Sequence, residues 1–399
     1  MSLPLTYDKD DESNFIDMVN NYDWSKTSLG PMDSWEFEFK EIVKLCLNTA
    51  FPTAIYAGPD WTLMYNQSWS PFLKARHPHA LGKPLIEVWP ELYDDLKPNF
   101  ESVRETGKGI YKYEEYLEMQ RDGYIEEVYF NYTLSPIFKS DGTVWGLFNA
   151  GYEITQDVLN VRRLKTLEKL GSQTTGADSL EGSCHLIMSI LRNHNADIPY
   201  ALIYLAESSN NSKSGFEYQT VRLVATTFDE ACEKSEFVRG KIKRKIPDYF
   251  PITHEIIDLS NDIDENYEKY TETKWATSTY SFLKCKSWPI HLVIKENKHV
   301  KVLLNDDSQA ILLPIKVSFG KQTLFAILIC GINPRRKLDD KYLEFLQLTM
   351  SHVTSFLMHG KSVEEEKMRS KLLADLNHEK IMFFQNISHE LKSIINIID

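Results

Sequence analysis

Apolar and polar side chains alternate at period two from residue 124 to residue 134. Val128, Phe130, Tyr132 and Leu134 fall on one side, and Tyr129, Asn131 and Thr133 on the other, as expected of a strand with two unlike faces. Residues 111–120 and 144–150 read as strands as well, set off by tight turns at Asp122-Gly123 and Asp141-Gly142. Upstream, residues 52–57 form a short apolar run closed by Gly58-Pro59-Asp60, and residues 61–65 form a second, so the pair reads as a hairpin. Between hairpin and strands, residues 66–106 carry helical spacing broken by Pro78, Gly82, Pro84, Pro90 and Pro98, which predicts several short helices. Two strands, short helices and three antiparallel strands make an α+β order, a sheet with helices packed on one face.

The second half repeats the theme. Residues 158–170 are an amphipathic connector (Leu159, Leu164, Leu167, Leu170), and residues 171–182 are small and polar. Residues 183–191 predict a helix with an apolar face, and 200–205 and 218–224 predict strands. Residues 228–300 are hydrophilic and show no clear period. Residues 310–316 and 324–332 are strongly apolar and read as central strands, again flanked by helices. The tail differs in kind: from Asp339 onward no proline occurs and only Gly360 interrupts a helical pattern. Leu373, Leu376, Phe383, Ile387, Leu391, Ile394 and Ile398 recur at spacings of three, four or seven, an apolar seam of coiled-coil type. Such a seam needs a partner, either another segment or another copy of the chain. The first twenty or so residues are polar and acidic, a loose tail or a leading helix.

Composition narrows the function classes. At 399 residues the chain has room for two or three domains. Its 57 acids against 45 bases give a net charge of −12, which argues against nucleic acid as partner. No apolar run approaches the roughly 18–20 residues of a membrane helix, and the amino terminus lacks the features of a signal peptide. Five scattered cysteines fit a reducing compartment, so the expected location is cytosolic. Cys46, Cys232, Cys285 and Cys330 show no zinc-ligand spacing, and no metal site is expected.

Candidate chemistry sits in the tail, at Phe383-Phe384-Gln385-Asn386-Ile387-Ser388-His389-Glu390-Leu391-Lys392-Ser393. At about 100° per residue, His389 lies about 200° around the helix from the seam residue Ile387 and projects into water. Ser393 lies one turn beyond His389 on the same face. A neutral imidazole beside a carboxylate is a suitable phosphoryl acceptor, because the acid orients the ring or takes its proton. A hydroxyl one turn on can position water for the reverse hydrolysis.

From Phe384 to Lys392 the string resembles the histidine box of two-component sensor histidine kinases, whose pattern is roughly Phe-x-Asn-x-Ser-His-Glu-Leu-(Arg/Lys)-Thr-Pro-Leu. The resemblance implies that His389 is the phosphoacceptor, Glu390 its acid/base partner and Ser393 the phosphatase-type position. Ile394 stands where the family has a helix-kinking proline. The sequence ends ten residues after His389, and it contains no asparagine box, Asp-x-Gly-x-Gly element or Gly-x-x-x-x-Gly-Lys-Ser/Thr loop. ATP is therefore expected to act through a kinase domain supplied in trans.

Upstream, Trp24-Ser25-Lys26-Thr27-Ser28-Leu29-Gly30-Pro31 with Trp35, Tyr65-Asn66, His77-Pro78, Ala80-Leu81-Gly82-Lys83-Pro84, Val88-Trp89-Pro90, Pro136, Asp141-Gly142 and Gly146 resemble a PAS sensor domain of hybrid histidine kinases. Residues 197–205, Leu313-Pro314-Ile315 and 331–340 resemble a GAF domain in the same architecture. The resemblance implies an α+β chain: a tail (1–23), a PAS-like domain (24–157), a helical linker (158–178), a GAF-like domain (179–340), and a coiled-coil signalling helix with the first phosphoacceptor helix (341–399). The expected function is the sensory and phosphoacceptor part of a cytosolic phosphorelay kinase. Its expected partners are a parallel homodimer through residues 341–398 or a heterodimer with a full-length kinase, together with a response regulator or receiver domain. The alternative is a non-catalytic PAS/GAF ligand-binding or dimerising regulator, a truncated paralogue.

No cofactor of the sensory part is defined. Residues 60–110 hold no cysteine for a flavin photosensor, and His77 and His79 sit in a proline-bearing loop that suits haem poorly. Cys184-His185 reads as a packed cysteine beside a surface histidine rather than a bilin attachment. Tyr111, Tyr113, Tyr116, Tyr129, Phe130 and Tyr132 either line a pocket or serve as strand formers. Arg335-Arg336 caps or solvates the loop into the long helix.

Overall fold

The computed structural model describes residues 9–121, 123–207, 220–228, 255–259, 268–270, 279–281, 288–304, 308–319 and 322–398. Within them, residues 9–14, 207, 268–270, 279–281, 318–319, 322–323 and 389–398 are described as backbone alone. Residues 1–8 of the expected tail, Asp122, Tyr218, Cys232, Cys285 and Asp399 lie outside the described residues. The chain divides into two compact units, Met1–Arg162 and Arg163–Asp399.

The first unit begins with helices α1 (Lys9–Asn20) and α2 (Phe37–Asn48), followed by strands β1 (Thr53–Ala57) and β2 (Thr62–Tyr65). Short helices α3 (Ser70–Leu73) and α4 (Leu85–Val88) and the longer α5 (Tyr93–Thr106) lead into β3 (Ile110–Arg121), β4 (Tyr124–Phe138) and β5 (Val144–Glu153). The sheet order is β2-β1-β5-β4-β3, with every neighbouring pair antiparallel. The hairpin, the short helices and the three long strands stand where the hydrophobic pattern puts them.

Two details depart from that pattern. Pro98 lies inside α5 without ending it, and the helix stops instead at Gly107, whose φ of 64° is the left-handed cap glycine favours. The sheet is also covered on both faces at β1 and β2, whose residues are all buried. One face carries Tyr56 and Phe130 against Phe100 and Phe72, at ring separations of 5.0 and 5.1 Å. The other is covered by the residues before β1, through a ladder of edge-on rings. Trp24 meets Trp35 at 5.4 Å, Trp35 meets Phe39 at 5.2 Å and Phe39 meets Trp145 at 4.4 Å.

Helix α6 (Thr155–Ser172) contains the division between the units. The second unit continues with α7 (Leu180–Asn193), β6 (Ala201–Glu207), β7 (Thr220–Thr226), β8 (Ile256–Asp258), β9 (Glu268–Tyr270), β10 (Thr279–Ser281), α8 (Ile290–Glu296), β11 (Val300–Leu303), β12 (Gln309–Phe319) and β13 (Gln322–Gly331). Among the described residues these strands form a sheet of order β8-β7-β6-β13-β12-β11-β10-β9, with only β10 and β11 parallel. The apolar run in β13 is explained by burial on both faces. Ala326, Leu328 and Cys330 join one core with α7, while Phe325, Ile327 and Ile329 join another with Trp288 and with Ile290 of α8.

The chain then enters α9 (Asp340–Ile398), a single helix of 59 residues. Gly360 does not interrupt it. Tyr342, Phe345, Leu346, Val353, Phe356 and Leu357 are buried against the core that contains α7, whereas every side chain from residue 366 to residue 388 is exposed. The fold class is thus the expected one: α+β, antiparallel sheets with flanking helices, followed by a long helix.

Candidate sensory and phosphoacceptor sites

His389, Glu390 and Ser393 lie on the helical backbone of α9, but their side chains lie outside the described residues. What the structure describes is the rod that carries them. Ser388 closes a bare stretch of 23 residues, 366–388, which at about 1.5 Å per residue spans about 33 Å. At about 100° per residue, Tyr342, Leu346, Thr349, Val353, Phe356 and Gly360 share one side of α9. Leu373, Leu376, Phe383 and Ile387 share a side roughly half a turn away, and all four are exposed. The apolar seam therefore changes side. Its first part is occupied by the unit's own core, and the exposed part of the expected 341–398 seam is the stripe beyond residue 371.

The point of change is built by polar contacts at the start of α7. Ser179 caps that helix by accepting from the Gly182 N–H at 3.1 Å. The Leu180 N–H donates to Glu364 of α9 at 3.2 Å, Lys367 donates to the Asp178 carbonyl at 2.9 Å, and Ser183 Oγ donates to the Phe356 carbonyl at 3.1 Å. Upstream, Arg163 of α6 and Asp197 form a buried ion pair at 3.3 Å. The guanidinium also lies 4.5 Å from the ring of Tyr342 and 5.4 Å from that of Phe345, and the Tyr342 hydroxyl donates to the Asp197 carbonyl. The middle of α6 and the start of α9 are thereby fastened to one loop.

In the first unit, the exit from β5 is fixed in a similar manner. Glu153 accepts from Arg121 at 2.9 Å and from Thr155 Oγ1 at 2.6 Å, while Thr155 Oγ1 accepts from the Tyr129 N–H at 3.0 Å. Two turns into α6, Arg162 donates to the buried Glu127 at 2.5 Å. None of these residues stands out in the sequence, because each partner lies 26 or more positions away, except the adjacent Glu153 and Thr155. Two charges of opposite sign that far apart carry no local signature.

The inner face of the first sheet is the candidate sensory surface. Tyr56 accepts from Trp89 Nε1 at 2.9 Å, and the Tyr65 hydroxyl lies 3.0 Å from His77 Nδ1. The register places Leu134 opposite Asn149 and Tyr132 opposite Gly151, so Tyr132 and Asn149 share that face. Tyr132 Oη, Asn149 Oδ1 and, elsewhere in the same unit, Trp69 Nε1 are buried with no hydrogen-bond partner in the protein, which is costly unless a small polar guest or water completes them. Burial pushes the Tyr132 hydroxyl far above its ordinary range. His77, held between Tyr65 and Phe15, is lowered by burial and by neighbouring His79. The six aromatic residues of β3 and β4 divide accordingly: Phe130 and Tyr132 face the core, whereas Tyr111, Tyr113, Tyr116 and Tyr129 belong to the opposite face.

Cys184 is buried and His185 exposed, as the sequence implies. Burial pushes the thiols of Cys46 and Cys184 up to about 12. Both, together with the fully buried Cys330, are expected to stay unmodified by a thiol reagent at pH 8 until the chain is unfolded; mass mapping of the labelled peptides checks this. Among the described residues no group of three or more His, Cys, Asp or Glu is arranged to hold a metal ion, and no helix is long and apolar enough to cross a membrane.

The two units thus define a class of α+β protein that joins two sheet-and-helix modules in series to an emergent helical rod. No family model and no curated protein matches the chain. Among solved structures it is similar to a sensory box sensor histidine kinase from Vibrio cholerae, with 20% identity over 29% of this chain and 89% of that one at a TM-score of 0.21. It is also similar to the PAS domain of Bordetella pertussis BvgS, with 17% identity over 33% and 98% at 0.26. The GAF domain of an Acinetobacter phosphoenolpyruvate-protein phosphotransferase matches with 11% identity over 49% and 92% at 0.28. These are likenesses to PAS and GAF folds.

Proposed function

We propose that the chain is the sensory and phosphoacceptor portion of a phosphorelay histidine kinase, acting in the cytosol. The observation that carries this reading is the bare helical rod, residues 366–388, leading straight into the string that resembles a histidine box. A ring nitrogen of His389 attacks the γ-phosphorus of ATP, the N–P bond forms and ADP leaves, with Glu390 orienting the ring or accepting its proton. The ATP-binding domain lies outside these 399 residues and reaches His389 in trans. The stripe from Leu373 to Ile387 takes up a second copy or a full-length relative, and a receiver domain accepts the phosphoryl group. A guest at the unpaired polar atoms of the first unit, or in the second unit, biases the set of α9 and hence the presentation of His389.

With labelled ATP the chain alone incorporates nothing. With a full-length homologue present, the wild type is labelled and His389→Gln is not. Absence of label on the wild type under those conditions favours the other reading, a dimerising regulator with no phosphoacceptor role.

A further inference from the structure

The open face of the first sheet carries a second cluster that sensing through the core does not use. Strand β3 is interrupted by a bulge between Lys112 and Glu115, so that Tyr113 and Glu114 together oppose Asn131 on β4. Asn131 is in turn opposite Tyr152 on β5, and one rung along, Tyr111 is opposite Thr133. Paired residues across a sheet point to the same face, so Tyr111, Tyr113, Glu114, Asn131 and Tyr152 share one patch. Three of these are exposed rings, with Tyr111 at 61%, Tyr113 at 66% and Tyr152 at 45% of their full area.

The patch is built rather than incidental. Asn131, only 6% exposed, donates from Nδ2 to the Tyr152 hydroxyl at 3.1 Å and accepts from the Glu114 N–H at 2.8 Å. One buried amide therefore sets both the ring on β5 and the bulged backbone on β3. Glu114 sits at φ 49°, a left-handed conformation that a non-glycine residue adopts at a cost. That cost places a carboxylate among the rings. Phe51 extends the aromatic surface, with its ring 6.0 Å from that of Tyr152. Tyr113 is held above its ordinary range because Glu114 accepts from its hydroxyl, with Tyr111 and Tyr152 close enough to add to the effect.

The chain covers other rings with its own cations: Arg104 lies 3.6 Å from the Trp61 ring, Arg76 4.8 Å from Trp89 and Lys139 5.5 Å from Trp145. Among the described residues, the rings of Tyr111, Tyr113 and Tyr152 carry no such internal cation. Adjacent strands are about 4.8 Å apart, so Tyr113 and Tyr152 are rooted about 10 Å apart, with the Tyr152 hydroxyl reaching back to Asn131 on the strand between. A trimethylammonium group is attracted to a ring face from up to about 6 Å from its centroid, which brings exposed rings on neighbouring strands within reach of one ion.

We propose that Tyr111, Tyr113 and Tyr152, with Glu114, form a binding site for a small quaternary-ammonium ion. The recognition is by ring faces for the methylated cation and by the Glu114 carboxylate for its charge. An ordinary ammonium ion, more strongly hydrated, and a planar guanidinium ion suit this exposed set of rings less well.

The test uses the full chain, isothermal titration calorimetry and saturation-transfer NMR with choline, its neutral isostere 3,3-dimethylbutan-1-ol, and argininamide. Choline is expected to bind saturably and at least tenfold more tightly than either of the others. Tyr113→Ala and Tyr152→Ala each weaken choline at least fivefold, and Glu114→Gln about threefold. Tyr111→Ala, at the most open edge, reports the same loss without touching the Asn131 bonds, and an unchanged melting midpoint confirms its fold. Equal binding of the neutral isostere, preference for argininamide, absence of saturable choline binding, or full choline affinity in Tyr111→Ala/Tyr113→Ala would each overturn the proposal. Phosphotransfer is not read in any arm, so the result stands apart from the role of His389.

Discussion

Gly360→Ala is expected to destabilise the second unit by about 3 kcal/mol, at the upper end of the range for overpacking a tight contact. A Cβ at that position would meet Ser183 Oγ and, at 2.5 Å, the Ser179 carbonyl oxygen. The first is a buried side chain already engaged with the Phe356 carbonyl. The second is backbone at the N-cap of α7, which cannot turn aside without giving up the Ser179–Gly182 cap. Alanine is a better helix former than glycine by about 1 kcal/mol, so local propensity alone predicts the opposite sign. Urea unfolding followed by circular dichroism decides between the two. Adding Ser183→Ala should restore only part of the loss, since the Ser179 carbonyl remains. A stability gain in Gly360→Ala would mean that α9 does not cross α7 this closely.

Arg163→Met is expected to cost about 3–5 kcal/mol, the usual loss when one member of a buried pair is left without the other. The side chains of Arg163 and Asp197 are 8% and 3% exposed, so water cannot replace the missing partner. The substitution also removes the cation from between the rings of Tyr342 and Phe345. Arg163→Met/Asp197→Asn should cost clearly less than the sum of the single changes, because the charge that Arg163 balanced is then gone. A double-mutant cycle by urea unfolding measures that coupling. Additive losses would show that the two residues are neighbours without being partners. Protection of the α6 and α9 amides from hydrogen exchange should fall together in Arg163→Met, since one cation fastens both helices to the Asp197 loop.

Much of the architecture was legible because it is written at short period. Alternation around Val128–Leu134, the Gly58-Pro59-Asp60 turn and the apolar run of β13 are local signals, and the strands lie where those signals put them. The bulge at Lys112/Glu115 shows how the same logic loses its footing. One extra residue reverses parity, so that even-numbered Tyr116 shares a face with odd-numbered Tyr111 and Tyr129. The division of the aromatic stripe into core and surface was therefore not readable by counting. Gly360 looked like a helix breaker because nothing nearby in sequence announces the α7 cap, about 180 positions earlier, that requires a missing side chain there. The ion pairs Arg163–Asp197 and Arg121–Glu153 were invisible for the same reason: their partners are 34 and 32 residues apart. The string that resembles a histidine box was the reverse case, because all of its residues are neighbours in sequence.

Helix α9 grips its own sheet module along one flank and bares its later apolar flank on the other. Any movement of a module then acts on the rod as a lever acts on an axle, off-centre and across the long axis. What such a shaft delivers to its far end is torque, which turns the exposed stripe beyond residue 371 about the axis without carrying it along the helix at all.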